Sequence, residues 1–111
     1  MKFITFLENK KTLELIQDTS IREVILEHET LSRMGRLNTE NLLSLTDTAL
    51  ESGFLPILQW DILCTQSHFD KCIKLLNNLP ASKFAAIRVQ DIGAAEWVRQ
   101  KLPEIPIHFI A

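Results

Sequence analysis

The chain has 111 residues, 46% of them hydrophobic and 23% charged, with a formal net charge of −2. One domain's length with that apolar share excludes an unfolded polymer, and interspersed charges give no basic stripe for nucleic acid and no single-sign tail. No run approaches the ~20 apolar residues of a membrane span, and the opening Met1–Leu7 meets Glu8 before reaching the roughly 7–15 apolar residues of a secretory signal.

In chain order, β-branched and aromatic runs alternate with helical periods. Phe3–Leu7 is expected to be a strand, followed by a helix over Lys10–Gln17 with Leu13 and Ile16 on one face. Glu23–Glu27 is the second strand. The stretch Glu29–Leu37, with Arg33, Gly35 and Arg36, is longer than a minimal connection. Long loops after strands are where α/β enzymes place function. Asn38 or Thr39 caps the next helix, Leu42, Leu45 and Ala49 form its inner face, and Gly53 stands where a left-handed residue ends it. Phe54–Gln59 is the third strand. Ser67 is expected to cap a third helix with Phe69, Cys72, Ile73 and Leu76 on one face, and Pro80 closes it. Phe84–Gln90 is the fourth strand. Asp91 caps a fourth helix with Ala95, Val98 and Leu102 inward, Pro103 stops it, and Ile105–Ile110 is the fifth strand.

This β-α alternation implies parallel strands joined by right-handed crossovers. Near-continuous apolar strands fit a sheet covered by helices, and no Asn-Gly or Asp-Gly hairpin signal competes. Two closures remain: a complete small doubly wound domain, or the first half of an eight-stranded TIM-like (β/α) barrel, which typically needs ~250 residues. Ending at Ile110-Ala111, straight after a strand, favours the barrel. Residues 1–111 are therefore expected to be a single α/β region, an incomplete barrel with five strands and about four helices.

Side chains alternate along a strand, so Arg88 and Gln90 share a face, as do Gln59 and Asp61, and Glu23 and Glu27. If these faces all point into a barrel, Glu27, Gln59, Arg88 and Gln90 converge, and Glu27 is the carboxylate expected to partner Arg88. The plainer alternative is a polar layer that only satisfies itself. Gln90-Asp91 sits where a strand gives way to a helix, the active edge of such folds, although Asp91 also reads simply as an N-cap. Gly93 belongs to no GxGxxG or GxxxxGK[ST] motif, so nucleotide binding is not supported. His28 and His108 lie in or at the ends of strands and are candidates for one shared site, with His68 apart. Glu27 and Glu29 beside His28 suggest a metal, but no HExxH or other ligand spacing supports one. Cys64 follows a strand and is a candidate nucleophile, whereas Cys72 lies on an apolar helix face. No serine has a GxSxG elbow, and Trp60 and Trp97 read as packing residues. Two thiols eight positions apart make no disulfide framework, so a reduced, cytoplasmic protein is expected.

Ala86-Ile87-Arg88-Val89-Gln90-Asp91-Ile92-Gly93-Ala94, followed by Leu102-Pro103-Glu104-Ile105-Pro106-Ile107-His108, resembles the collagenase-like peptidase family, U-thirty-two in the peptidase classification. Its members carry "VQD-x-G", a helix, then "PE-x-P-[IL]-H". Arg36–Leu42 and Glu51–Ile57 resemble the family's preceding helix and strand entry, so the similarity spans roughly residues 30–111. Phe6-Leu7-Glu8-Asn9 departs from the family's "L-x-APAG" turn. The resemblance implies a barrel-like catalytic domain. Some relatives are described as proteases, while others help hydroxylate nucleic-acid bases or quinone precursors with an iron–sulfur cluster held by four downstream cysteines. Cys64 and Cys72 do not match those cysteines, so no cofactor or metal is assigned to this segment.

The expected function is thus the N-terminal barrel segment of a collagenase-like peptidase acting on a peptide or protein, with the segment inactive alone. Gln90 and Asp91 would line the active face, with Glu27, His28 and Arg88 as neighbours. No nucleophile–base pair is recognisable. The alternatives are a small non-catalytic α/β binding module and a segment of an iron–sulfur-dependent hydroxylase relative. In either setting the open sheet edges predict self-association into a homo-oligomer.

Overall fold

A computed structural model of the chain describes residues 4–62 and 66–110. The elements follow as β1 (Ile4–Phe6), α1 (Lys10–Ile16), β2 (Glu23–Leu26), α2 (Thr39–Glu51), β3 (Leu55–Trp60), α3 (Gln66–Asn77), a 3-10 turn (Ala81–Lys83), β4 (Ala86–Val89), α4 (Ile92–Lys101) and β5 (Ile107–Phe109). All five strands form one parallel sheet in the order β1-β2-β3-β4-β5. This order separates the two closures left open by the sequence. A doubly wound sheet must reverse direction at a switch point, whereas here each strand is laid beside its predecessor in one direction, as in the first half of a (β/α) barrel.

Local chemistry explains the helix boundaries. Asn9 caps α1, its side-chain oxygen accepting from the Thr12 N–H at 3.1 Å. Between the two candidates for α2, Asn38 is the cap, accepting from the Asn41 N–H at 2.8 Å. Gly53, at φ +84°, follows the last turn in the left-handed region, where a Cβ would be strained. α3 begins at Gln66, so Ser67 stands inside the helix rather than before it. The strands are shorter than the apolar runs that announced them. Phe54, Phe84 and Ile105 are buried but lie before β3, β4 and β5, because apolar residues also seal the ends of the core.

The core fills the space between sheet and helices. Val24, Leu26, Leu58, Ile87 and Val89 meet Leu42, Leu45, Ala49, Cys72, Leu76, Ala95 and Val98 there. Burying each larger side chain contributes about 1.5–3 kcal/mol. Trp60 stacks on Phe69 at 5.7 Å between ring centroids and meets Trp97 edge-on at 6.2 Å, so both indoles are packing residues. On the opposite, concave face of the sheet a small buried layer joins Ile25, Ile57 and Ala86. Among the described residues no helix is long and apolar enough to cross a membrane.

Candidate functional site

Parallel register carries a side chain's orientation from strand to strand. Gln59 on β3 pairs with Arg88 on β4, and Arg88 with His108 on β5. Glu27, one residue past β2, continues the register of Leu26 with Leu58 and so comes opposite Gln59. The four side chains form a polar row across the concave face, two residues beyond the apolar layer of Ile25, Ile57 and Ala86 and towards the carboxyl ends of the strands. Asp61 and Gln90 continue the same parity to the rim.

The long loop after β2 folds over this rim. Its entry and exit pair with each other: the Glu29 N–H donates to the Leu37 carbonyl at 2.9 Å, and the Leu37 N–H to the Glu27 carbonyl at 3.3 Å. The His28 carbonyl accepts from the amides of Leu31 and Ser32. The loop then reaches β3, where the Asp61 N–H donates to the Leu31 carbonyl at 3.2 Å and the Arg33 N–H donates to Asp61 Oδ1 at 2.9 Å. Gly35 closes the turn against the His28 backbone, with no room for a side chain.

Within this frame Ser32, 2% exposed, donates its hydroxyl to Glu27 Oε2 at 2.6 Å. Asp61 Oδ2 accepts from Gln59 Nε2 at 3.2 Å. Gln59 is 5% exposed, and among the described residues its Oε1 has no hydrogen-bond partner. Arg88 is half-buried, and among the described residues its guanidinium makes no ion pair. The expected Arg88–Glu27 pair is therefore not formed. Gln59 stands on the strand between them, leaving two strand spacings, about 9.6 Å, between the backbones, and Ser32 engages the Glu27 carboxylate instead.

His28 and His108 do not meet. His28 continues the parity of Val24 and Leu26 on the helix side, while His108 aligns with Arg88 on the concave side. The Thr30 N–H donates to His28 Nδ1 at 2.9 Å, so the ring proton resides on Nε2, 2.9 Å from Thr39 Oγ1. Burial lowers the His28 pKa, and the Glu29 carboxylate only partly opposes it. His28 is thus a neutral clasp between the loop and the start of α2. Asp91 is the N-cap of α4, accepting from the Gly93 N–H at 3.0 Å. Gln90 is exposed beside it. Cys64 lies outside the described residues. Cys72 is fully buried, its Sγ 3.7 Å from the Thr30 carbonyl. The chain's two cysteines do not fit an iron–sulfur cluster, which needs about four thiolates, and no step is built on one.

The sequence reasoning missed Ser32 and the roles of the loop backbone. Ser32 follows Glu27 by five positions, a spacing with no motif, and only the folded loop brings the two together. The cavity that the described residues form beside the row is small. The space beside Glu27, bounded by Leu7, Met34, Arg36 and Leu37, is about 20 Å³, room for about one water. A larger hollow of about 480 Å³, lined by Phe84, Lys101, Pro103 and Ile105, opens at the amino ends of the strands, away from the polar row. We place the site at the rim despite its small cavity, because a half-open barrel encloses nothing above its own strands. The arrangement can bind: a guanidinium without an ion pair among the described residues and a buried carbonyl acceptor lie on one side of the sheet. At the rim the Ser32 hydroxyl is held by the Glu27 carboxylate, but at 2% exposure it is closed to a substrate.

A family model described as peptidase family U32 matches residues 8–110. No curated protein and no solved structure matches the chain.

Proposed function

The chain belongs to peptidase family U32, and on that premise we propose that it supplies the N-terminal barrel segment of a collagenase-like peptidase, a cytoplasmic hydrolase of peptides or proteins. The observation that carries this reading is the polar row Glu27–Gln59–Arg88–His108 on one concave face, bordered by Asp61 and Gln90. In a parallel barrel that face and that end hold the chemistry. Arg88 and Gln59 bind the substrate, Glu27 and Asp61 are positioning residues anchored by Ser32 and the Arg33 amide, and Gln90 borders the entrance. Among the described residues no exposed nucleophile is held by a base, so the attacking group and the proton acceptor are assigned to none of them.

The test is peptide hydrolysis by the protein that carries this chain. Arg88→Met is expected to lower kcat/KM by roughly tenfold or more, equivalent to about 1.4 kcal/mol of lost transition-state stabilisation. The 111 residues alone are expected to show no turnover. Full activity in Arg88→Met, or turnover by the 111 residues alone, would contradict the proposal.

A second reading, a self-associating module, is favoured by one observation. Ile4, Phe6 and Leu55, at 41%, 46% and 49% exposure, leave apolar surface on the concave side of β1 and β3, and among the described residues the outer edges of β1 and β5 have no strand beside them.

A further inference from the structure

We propose that Gln59 and Arg88 form a subsite for the C-terminal residue of a peptide, in which Gln59 Oε1 accepts that residue's N–H and Arg88 binds its terminal carboxylate. This deepens the peptidase reading and rests on it for the identity of the ligand as a peptide.

The orientation of the Gln59 amide is fixed by chemistry. A carboxylate only accepts, so the end of the amide facing Asp61 Oδ2 is Nε2, and the other end is the carbonyl. That carbonyl is buried and, among the described residues, without a partner. Buried polar atoms in native structures are almost always paired, and an exception calls for a missing partner. The partner must be a donor. Arg88 stands directly beside Gln59 in the register, about 4.8 Å away between backbones. Its guanidinium is unpaired among the described residues and presents a planar fork of donors that suits a carboxylate.

The ligand is therefore asked for two things one strand spacing apart: an N–H to give and an anionic, acceptor-rich group. Within a single residue that combination is the terminus of a peptide, where one α-carbon separates the amide N–H from the carboxylate. The surrounding charges set the direction. The Arg88 guanidinium draws the carboxylate towards β4. Glu27, on the other side of Gln59, repels it. The rest of the peptide leaves on the Glu27 side.

The test is calorimetric titration of the protein carrying this chain with a short peptide acid, the same peptide as its C-terminal amide, and an N-acetylated amino acid, which holds the same N–H and carboxylate without the chain. The acid is expected to bind at least tenfold more tightly than the amide. The N-acetyl compound should compete with the acid. Arg88→Met, at a half-exposed position that tolerates the change, should erase the acid–amide difference, and Arg88→Lys should restore part of it. Gln59→Leu should weaken acid and amide alike, with a melting curve to establish that the variant folds. Equal binding of acid and amide by the unaltered protein, or a preference that survives Arg88→Met, overturns the subsite. The two proposals fail differently. Hydrolysis without acid preference removes the subsite and leaves the peptidase, whereas acid preference without hydrolysis keeps the subsite and removes the peptidase.

Discussion

Replacing Gly35 with alanine tests whether the loop over the rim is held by backbone contact. A Cβ at this position would lie 2.1 Å from the His28 carbonyl oxygen, 2.6 Å from its carbon and 3.0 Å from the Glu29 nitrogen. All three are backbone atoms and none can rotate away. The turn must separate from residues 28 and 29, which carry the bonds to Leu31, Ser32 and Leu37. Overpacking of this kind costs about 1–3 kcal/mol, and losing two of those hydrogen bonds adds about 0.5–1.5 kcal/mol each. Reduced freedom of the unfolded chain returns only about 0.4–1 kcal/mol. The net loss is about 1–6 kcal/mol, centred near 3, a large share of the roughly 5–15 kcal/mol that holds a domain together. With a urea m-value of about 2 kcal/mol/M, the central loss of about 3 kcal/mol should lower the unfolding midpoint followed by tryptophan fluorescence by about 1.5 M. Gly93→Ala is the control. Its Cβ meets nothing nearer than the Asp91 carboxylate at 3.6 Å, and alanine gains up to about 1 kcal/mol over glycine in a helix. A Gly35→Ala midpoint equal to that of the unaltered chain would refute the argument.

Three further outcomes are expected. Because His28 is held neutral with a lowered pKa, its contribution to stability is complete above the unfolded value of about 6.5 and is lost as pH falls from there towards the folded pKa. Urea midpoints at several pH values should show this slope in the unaltered chain and a shallower one in His28→Gln; equal slopes would assign the effect to other groups. Asp91→Ala should cost about 1 kcal/mol of thermal or urea stability as a lost cap, while Asp91→Asn should cost almost nothing. A loss of turnover in a stable Asp91→Asn protein would give its charge a role beyond capping. In sedimentation, the isolated chain should associate through its open edges and Phe6→Lys should shift it towards monomer; a monomeric unaltered chain would end that idea.

The alternation of strands and helices was readable because each apolar run obeyed one periodicity, and capping residues such as Asn38, Gly53 and Asp91 marked the boundaries. Strand order was not readable, because the same β-α repeat serves both wound architectures and only pairing separates them. Of the site, the shared face of Glu27, Gln59, Arg88 and Gln90 followed from parity along each strand. The same parity already placed His28 and His108 on opposite faces once the register was known. What parity cannot give is lateral distance, so the Arg88–Glu27 pair was expected across a strand that in fact separates them. Ser32 and Gly35 act through a loop whose course is set by contacts remote in sequence, and no local pattern announces such contacts.

The winding of the sheet in one direction has a consequence for how the chain comes off the ribosome. Every strand docks on the one made just before it, so no strand waits for a distant partner still to be synthesised. Each new strand-and-helix unit extends a growing edge, and the loop after β2 reaches no further than the next strand and the helix that follows it, at Asp61, His68 and Cys72. The scaffold beneath the polar row can thus assemble vectorially, in the order in which it is translated.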